Sequence, residues 1–410
     1  MPLAAALLGT AVTVVPTAAI ASMGAVLALI VPPGVLLFIS VVLFRNLGFE
    51  VLRTASAVTI ADGVLLVWTA LQLARAASHR RRIIVTQSAR WLTAFLMWAW
   101  LVTLAHGVRA TPLMRVSLYA VVSMLLVGAG ATDRRAVRLA VGIYAAIEIA
   151  LNLPVIFRAR LIGVTIGDPQ TFGLLLLACL ALLLGHVTPG APRRWGIAIV
   201  TAWTLATVTR GIWFALGVMI VCAAARRLSF WRLALVALVG GAAGLLLFAP
   251  MTARLQLNAE SAQIRERSVE RGLSAAFDAP ITGHGWAWDQ AAQGGTQDPS
   301  QSAYNLFLNV TASLGLVGLV LIVGYFARLF GEIAHQRDAV LFCASFLALS
   351  LVEMTIYAGA LGTLLFFLYA GFGATREPQF SDVEQDRSAP TTSPTADPGH
   401  GSLPNQSRRA

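Results

Sequence analysis

Apolar residues in this chain fall into runs of about 15 to 22, recurring from Met1 to Gly373 and separated by short clusters rich in arginine. Runs of that length suit helices that cross a hydrocarbon core of about 30 Å. Breaking the runs at the charged clusters predicts spans at 3–20, 22–44, 55–74, 91–107, 113–131, 139–157, 171–185, 196–209, 211–225, 233–249, 304–327, 339–356 and 358–372. The last two are short enough to form one kinked crossing with a re-entrant piece. The expected fold is therefore all-α: a polytopic transmembrane helical bundle of about 12 helices with one large extracytoplasmic loop between late helices. The organisation that follows is transmembrane helices over 1–249, an extracytoplasmic catalytic loop over 250–303, further transmembrane helices over 304–373 and a disordered cytoplasmic tail over 374–410. The tail is rich in Pro, Ser, Thr, Asp and Gln and has too few apolar residues to bury a core.

Composition sharpens this picture. Of 410 residues 57% are hydrophobic and 12% charged, and the mean hydropathy is +0.75, which excludes a soluble globular enzyme. All 30 basic residues are arginine, against 19 acidic ones, so the net +11 is fixed charge that does not titrate. Most of these arginines sit in short clusters between apolar runs and no basic run is interleaved with aromatics for base stacking, so the charge speaks for membrane topology and against nucleic acid. Assigning alternate loops to opposite faces puts fifteen loop arginines on one side, among them Arg134, Arg138, Arg193, Arg194, Arg328 and Arg337, and seven on the other, among them Arg210. The positive-inside rule makes the first side cytoplasmic and the 250–303 loop external. Three crossings before Arg75 would then place the uncharged N-terminus outside, which leaves its orientation open. The first 21 residues lack a basic n-region and read as membrane helix, not signal peptide. Cys179, Cys222 and Cys343 lie inside apolar runs without metal or redox spacing and read as small core residues.

The external loop is the natural place for chemistry on polar substrates. Between Asn258 and Phe277, Ile264, Val269, Leu273, Ala276 and Phe277 recur at helical spacing, with Arg265, Glu266, Arg267, Glu270 and Arg271 on the remaining surface. An amphipathic helix lying on the membrane surface or on the bundle is expected. Pro280 stops it, and Gly283-His284-Gly285-Trp286 follows as a glycine turn that brings backbone close to a partner. Arg210 stands alone in a run of 31 residues between Arg194 and Arg226 with no other charge. It either serves function at the membrane edge or caps a short outer turn and snorkels to headgroups. Asp62, Glu148 and Glu353, also within apolar runs, read as bundle partners of arginine more than as bases. His284 is either a base or simply exposed. No cluster of acidic or histidine side chains on the outer face has metal-ligand spacing, and no cofactor motif is present.

These residues resemble a family. Thr209-Arg210-Gly211-Ile212-Trp213 is similar to the Ser/Thr-Arg-Gly-x-Trp turn of the O-antigen ligase and O-antigen polymerase family of bacterial polytopic membrane glycosyltransferases. Arg265, Pro280, Gly283-His284-Gly285, Tyr304-Asn305-Leu306-Phe307-Leu308 and Ser313-Leu314-Gly315-Leu316-Val317-Gly318 resemble that family's outer loop and the helix after it. Ligases of the family carry His where this chain has Tyr304, and a common Trp where it has Val269.

The resemblance implies a metal-independent, cofactor-free transfer or polymerisation of polyprenyl diphosphate-linked oligosaccharide to a glycan or lipid acceptor in cell-surface polysaccharide synthesis. Arginine supplies a permanent bidentate clamp for the leaving diphosphate. The implied catalytic residues are Arg210, Arg265, His284 and Tyr304, with Arg267, Arg271, Gly283, Gly285, Trp286 and Asn305 binding substrate. A phenol is a poor base at neutral pH, so Tyr304 is expected to orient sugar hydroxyls, with His284, Asp289 or no residue taking the proton. Tyr304 in place of His favours polymerase over ligase. The rival readings are ligase proper, a flippase or transporter of lipid-linked glycans whose arginines line a path, and a non-catalytic partner in an envelope assembly; the large loop and lack of internal repeats count against transport.

Overall fold

A computed structural model describes residues 69–70, 73–74, 77, 85–107, 111–128, 134–155, 169–185, 190–207, 209–225, 259–286, 305–352 and 360–374. The predicted spans at 3–20, 22–44 and 233–249, most of that at 55–74, the tail, and Asp62, Asp289, Tyr304 and Glu353 lie outside the described residues.

The described regular structure is helical: α1 (Gln87–Ala105), α2 (Thr111–Gly128), α3 (Arg134–Asn152, continued by a 3-10 turn at Leu153–Val155), α4 (Pro169–Gly185), α5 (Ala191–Ala206), α6 (Arg210–Ala225), α7 (Ala259–Asp278), α8 (Leu306–Ile333), α9 (Arg337–Val352) and α10 (Ala360–Ala374). Helix starts follow local chemistry. Thr86 caps α1, its hydroxyl oxygen accepting from Ala89 N at 3.2 Å. Asn305 caps α8, its Oδ1 accepting from Phe307 N at 2.9 Å and Leu308 N at 3.1 Å. Pro192 occupies the first turn of α5, where its missing N–H leaves no bond unmade. By length and composition α1 and α8 can cross a membrane, and α4 and α6 are shorter apolar helices.

Contacts sort the helix ends into two groups. At one end, Ser88 N donates to Glu332 Oε1 at 3.0 Å and the Ser88 hydroxyl to Oε2, so a carboxylate late in α8 caps the start of α1. There too Arg138 in α3 pairs with Asp338 in α9 at 3.2 Å, and a Cβ added at Gly185, the last residue of α4, would meet Asp338 N at 2.7 Å. Gly373 near the end of α10 lies against Ile333 and Ala339. Arg193 Nε and Nη2 donate to Leu183 O at 2.8 Å and Leu184 O at 3.1 Å, closing the last turn of α4. At the other end, Trp100 Nε1 in α1 donates to Ser117 Oγ in α2 at 3.0 Å, Gly173 in α4 lies against Ile212 in α6, Gly362 in α10 against Leu174, and Asn305 Nδ2 donates to Leu351 O at 2.9 Å. Leaving aside α7, neighbouring described helices thus alternate in direction between an arginine-rich end and a loop end. Between the two ends the core is apolar and aromatic: Phe346 stacks on Phe366 with centroids 4.4 Å apart, and Tyr325 and Phe326 meet Phe366 edge-on or tilted, locking α8, α9 and α10 together.

The loop helix differs from the simplest amphipathic picture. α7 packs on α8 through its small residues Ser268, Gly272 and Ala275, while Val269, Leu273 and Phe277 are exposed. Small side chains allow a close approach between helix axes, and closeness sets which face docks.

Candidate active site

The first constellation is the corner between α5 and α6. Buried Thr204 and Thr207 fold their hydroxyls back onto Val200 O at 2.7 Å and Thr204 O at 2.8 Å, and Thr209 Oγ1 donates to Thr207 O at 3.1 Å. Trp213 N donates to Thr209 O at 3.0 Å, and its indole Nε1 reaches back to Leu205 O at 2.9 Å, satisfying a carbonyl near the end of α5. Gly211 and Ile212 are buried. The threonines and the tryptophan thereby hold a stapled corner, and Arg210 stands half-buried in the first turn of α6 at the loop end. A fixed cation in the first turn adds to the positive end of the helix dipole, a place that favours anions.

The second constellation is a break in α8. Gly315 has φ +68 and ψ −169, outside helical space and in a region open essentially to glycine. In a continuous helix Ala312, Ser313 and Leu314 carbonyls would accept from residues 316, 317 and 318. Here Ala312 O accepts from His284 N at 3.1 Å, Ser313 O from Gly285 N at 2.8 Å and Leu314 O from Trp98 Nε1 at 2.9 Å, while Leu316 N donates to Pro280 O at 2.7 Å. The loop turn is inserted into the helix and replaces its hydrogen bonds. Two glycines make this fit. A Cβ at Gly315 would run into the Ile281 carbonyl, and one at Gly283, itself at φ +69, into the Ser313 backbone.

Two further ties hold the turn. Trp286 is fully buried, its N–H donating to Thr103 Oγ1 at 3.0 Å and its ring meeting Phe95 edge-on at 6.1 Å. The His284 ring lies with Nε2 3.0 Å from Ala275 O. A carbonyl can only accept, so Nε2 carries the hydrogen and Nδ1 is the nitrogen that could take up a proton.

The candidate residues thus divide. Gly283, Gly285 and Trp286 are buried parts of the interlock, which leaves Trp286 no surface for a substrate in this structure. Asn305 caps α8 and ties it to α9. Arg267 and Arg271 are exposed on α7. Arg265 lies in α7, three residues before Ser268. Trp98 and Thr103 of α1, which the sequence reading passed over as parts of an apolar span, supply two of the ties.

Among the described residues, a polar helix is thus pinned into the break of α8, one of the two helices long and apolar enough to cross a membrane. Residues 195–323, about a third of the chain, match the family described as O-antigen ligase. Comparison with curated proteins gives no match. The matched segment contains both the Thr209–Trp213 corner and the Gly283–Gly315 interlock.

Proposed function

We propose that the protein transfers or polymerises polyprenyl diphosphate-linked oligosaccharide on the outer face of the bacterial cytoplasmic membrane, with the loop end external and the arginine-rich end cytoplasmic. The observation that carries this reading is Arg210, a fixed cation added to a positive helix terminus within the O-antigen ligase domain. In the reaction an acceptor hydroxyl attacks the anomeric carbon of the donor sugar from the face opposite the diphosphate. The bond from that carbon to the diphosphate oxygen breaks, the electron pair leaves with polyprenyl diphosphate, and the configuration inverts. Arg210 and Arg265 stabilise the growing charge on the leaving group, and no metal takes part. The hydroxyl proton passes to His284 Nδ1 or to solvent.

The interlock is the scaffold of this site. Gly283, Gly285 and Trp286 fix the end of α7, and through α7 the height of Arg265, while Arg267, Arg271, Tyr304 and Asn305 complete the glycan-binding surface. Polymerisation is favoured by Tyr304 in place of a histidine; ligation is favoured by the family description, which fits it at least as well.

The test uses purified protein in phospholipid vesicles with a lipid diphosphate-linked oligosaccharide and no nucleotide sugar, with and without EDTA. Longer lipid-linked chains identify a polymerase, glycan moved to a lipid acceptor identifies a ligase, and either persists in EDTA. Donor carried across the membrane without being consumed would make the protein a transporter and end the proposal.

A further inference from the structure

α7 has two faces of opposite character. Small residues cover the face against α8, and Val269, Leu273, Phe277 and then Ile281 form an outward stripe in which Phe277 is 79% and Ile281 66% exposed. Around a helix in water that arrangement would be reversed.

The stripe does not stop at the loop. Leu316 N is bonded to Pro280 O at 2.7 Å, so Ile281 abuts the start of the second segment of α8. That segment presents its own exposed side chains, Leu316, Val320 and Val323, at spacings of four and three, one face of a helix. α1 is tied at the same level through Trp98 and Thr103, and there Met97, Leu101 and Leu104 are exposed. From Leu316 to Ile333 the helix runs for ~27 Å, close to the hydrocarbon thickness of about 30 Å. With Ile333 at one border of the bilayer, Leu316 lies just inside the other, and Ile281 and Phe277 lie with it.

We propose that the Val269–Leu273–Phe277–Ile281 stripe is a lipid-docking surface that sinks the C-terminal half of α7 among the acyl chains of the leaflet at the loop end. Glu266 and Glu270 carry charge beside the first half of the stripe and hold that half at headgroup level. The loop helix is then anchored in the membrane itself, with Arg265, Arg267 and Arg271 delivered to the plane where lipid phosphates lie. The inference rests on the membrane location of the chain and not on its transfer chemistry, so failure of one leaves the other standing.

The test is depth measurement by spin label on the full chain in phospholipid vesicles free of polyprenyl lipid. Cys179 and Cys343 are buried, so Cys222→Ser provides the background for Phe277→Cys, Ile281→Cys and, as the polar neighbour at the same level, Asp278→Cys. Labels at 277 and 281 should collide more with oxygen than with a water-soluble nickel chelate, and the label at 278 the reverse. Nickel-dominated collisions at 277 and 281 would put the stripe in water and overturn the proposal. Shielding from both reagents would also overturn it, since another segment or a second copy of the chain would then cover the stripe.

Discussion

Replacing Gly315 with alanine tests whether the loop turn and the broken helix are one unit. A residue with a Cβ at φ +68 and ψ −169 carries strain of about 1–3 kcal/mol, and here the added atom also runs into the Ile281 carbonyl. The turn can retreat to relieve the collision, but retreat breaks the bonds from His284 N, Gly285 N and Leu316 N, each with a buried partner whose loss costs about 1–3 kcal/mol. Whichever route is cheaper, closure of the interlock weakens by at least ~2 kcal/mol, about 30-fold in the closed-to-open ratio. Hydrogen exchange read by mass spectrometry on peptides covering 280–286 and 312–318 should show these amides exchanging ~30-fold faster. Gly217→Ala is the control: its Cβ meets nothing within 4 Å, and alanine in that helix should stabilise by about 0.8–1 kcal/mol. Wild-type exchange across both peptides in Gly315→Ala protein would refute the reasoning, because the turn would then not depend on the break.

Arg210→Ala should lower the transfer rate about 30-fold or more in folded protein, corresponding to a clamp of roughly 2–4 kcal/mol, with Lys a poor substitute; the exposed Arg267→Ala and Arg271→Ala should fall much less, as steady-state rates will show. His284→Asn retains a donor that can reach the Ala275 carbonyl, so activity kept in Asn but lost in Ala marks His284 as a positioning residue, and equal loss in both marks it as the base. Tyr304→Phe should be mild, and complete loss in a folded variant, with a rate that climbs in alkali, would make the phenolate the base. Asp338→Ala strands Arg138 at the arginine-rich end and should cost roughly 3 kcal/mol, measured as a lower thermal midpoint in detergent, whereas a double replacement with apolar residues should recover much of it.

The helices themselves were legible because long apolar runs broken by arginine have few other readings. The predicted 171–185 and 211–225 differ from α4 and α6 by one or two residues at their starts. The Thr-Arg-Gly-Ile-Trp corner was legible as a turn, since its sequence places a lone charge between two apolar segments. The break at Gly315 was not, although its motif was recognisable: a glycine inside an apolar run is compatible with a straight helix, and the periodicity reads through it. What breaks the helix is distant in sequence, a turn ending α7 and two side chains of α1. Trp98 and Thr103 carry no local pattern that sets them apart from other residues of a span. The facing of α7 was also hidden, because apolar periodicity marks a stripe without saying whether protein or lipid covers it.

The inserted turn also imposes an order on how the chain can be made. Carbonyls of Ala312, Ser313 and Leu314 buried without partners would each cost about 1–3 kcal/mol, so α8 cannot rest in its bent form before its partners arrive. Those partners, Trp98 and the Pro280–Gly285 turn, all precede α8 in the chain. Synthesis from the N-terminus therefore makes them before Gly315, so they are available by the time α8 settles into its bent form. A rearranged gene that moved α8 ahead of the loop would encode the same contacts and deprive the nascent helix of the groups that let it bend.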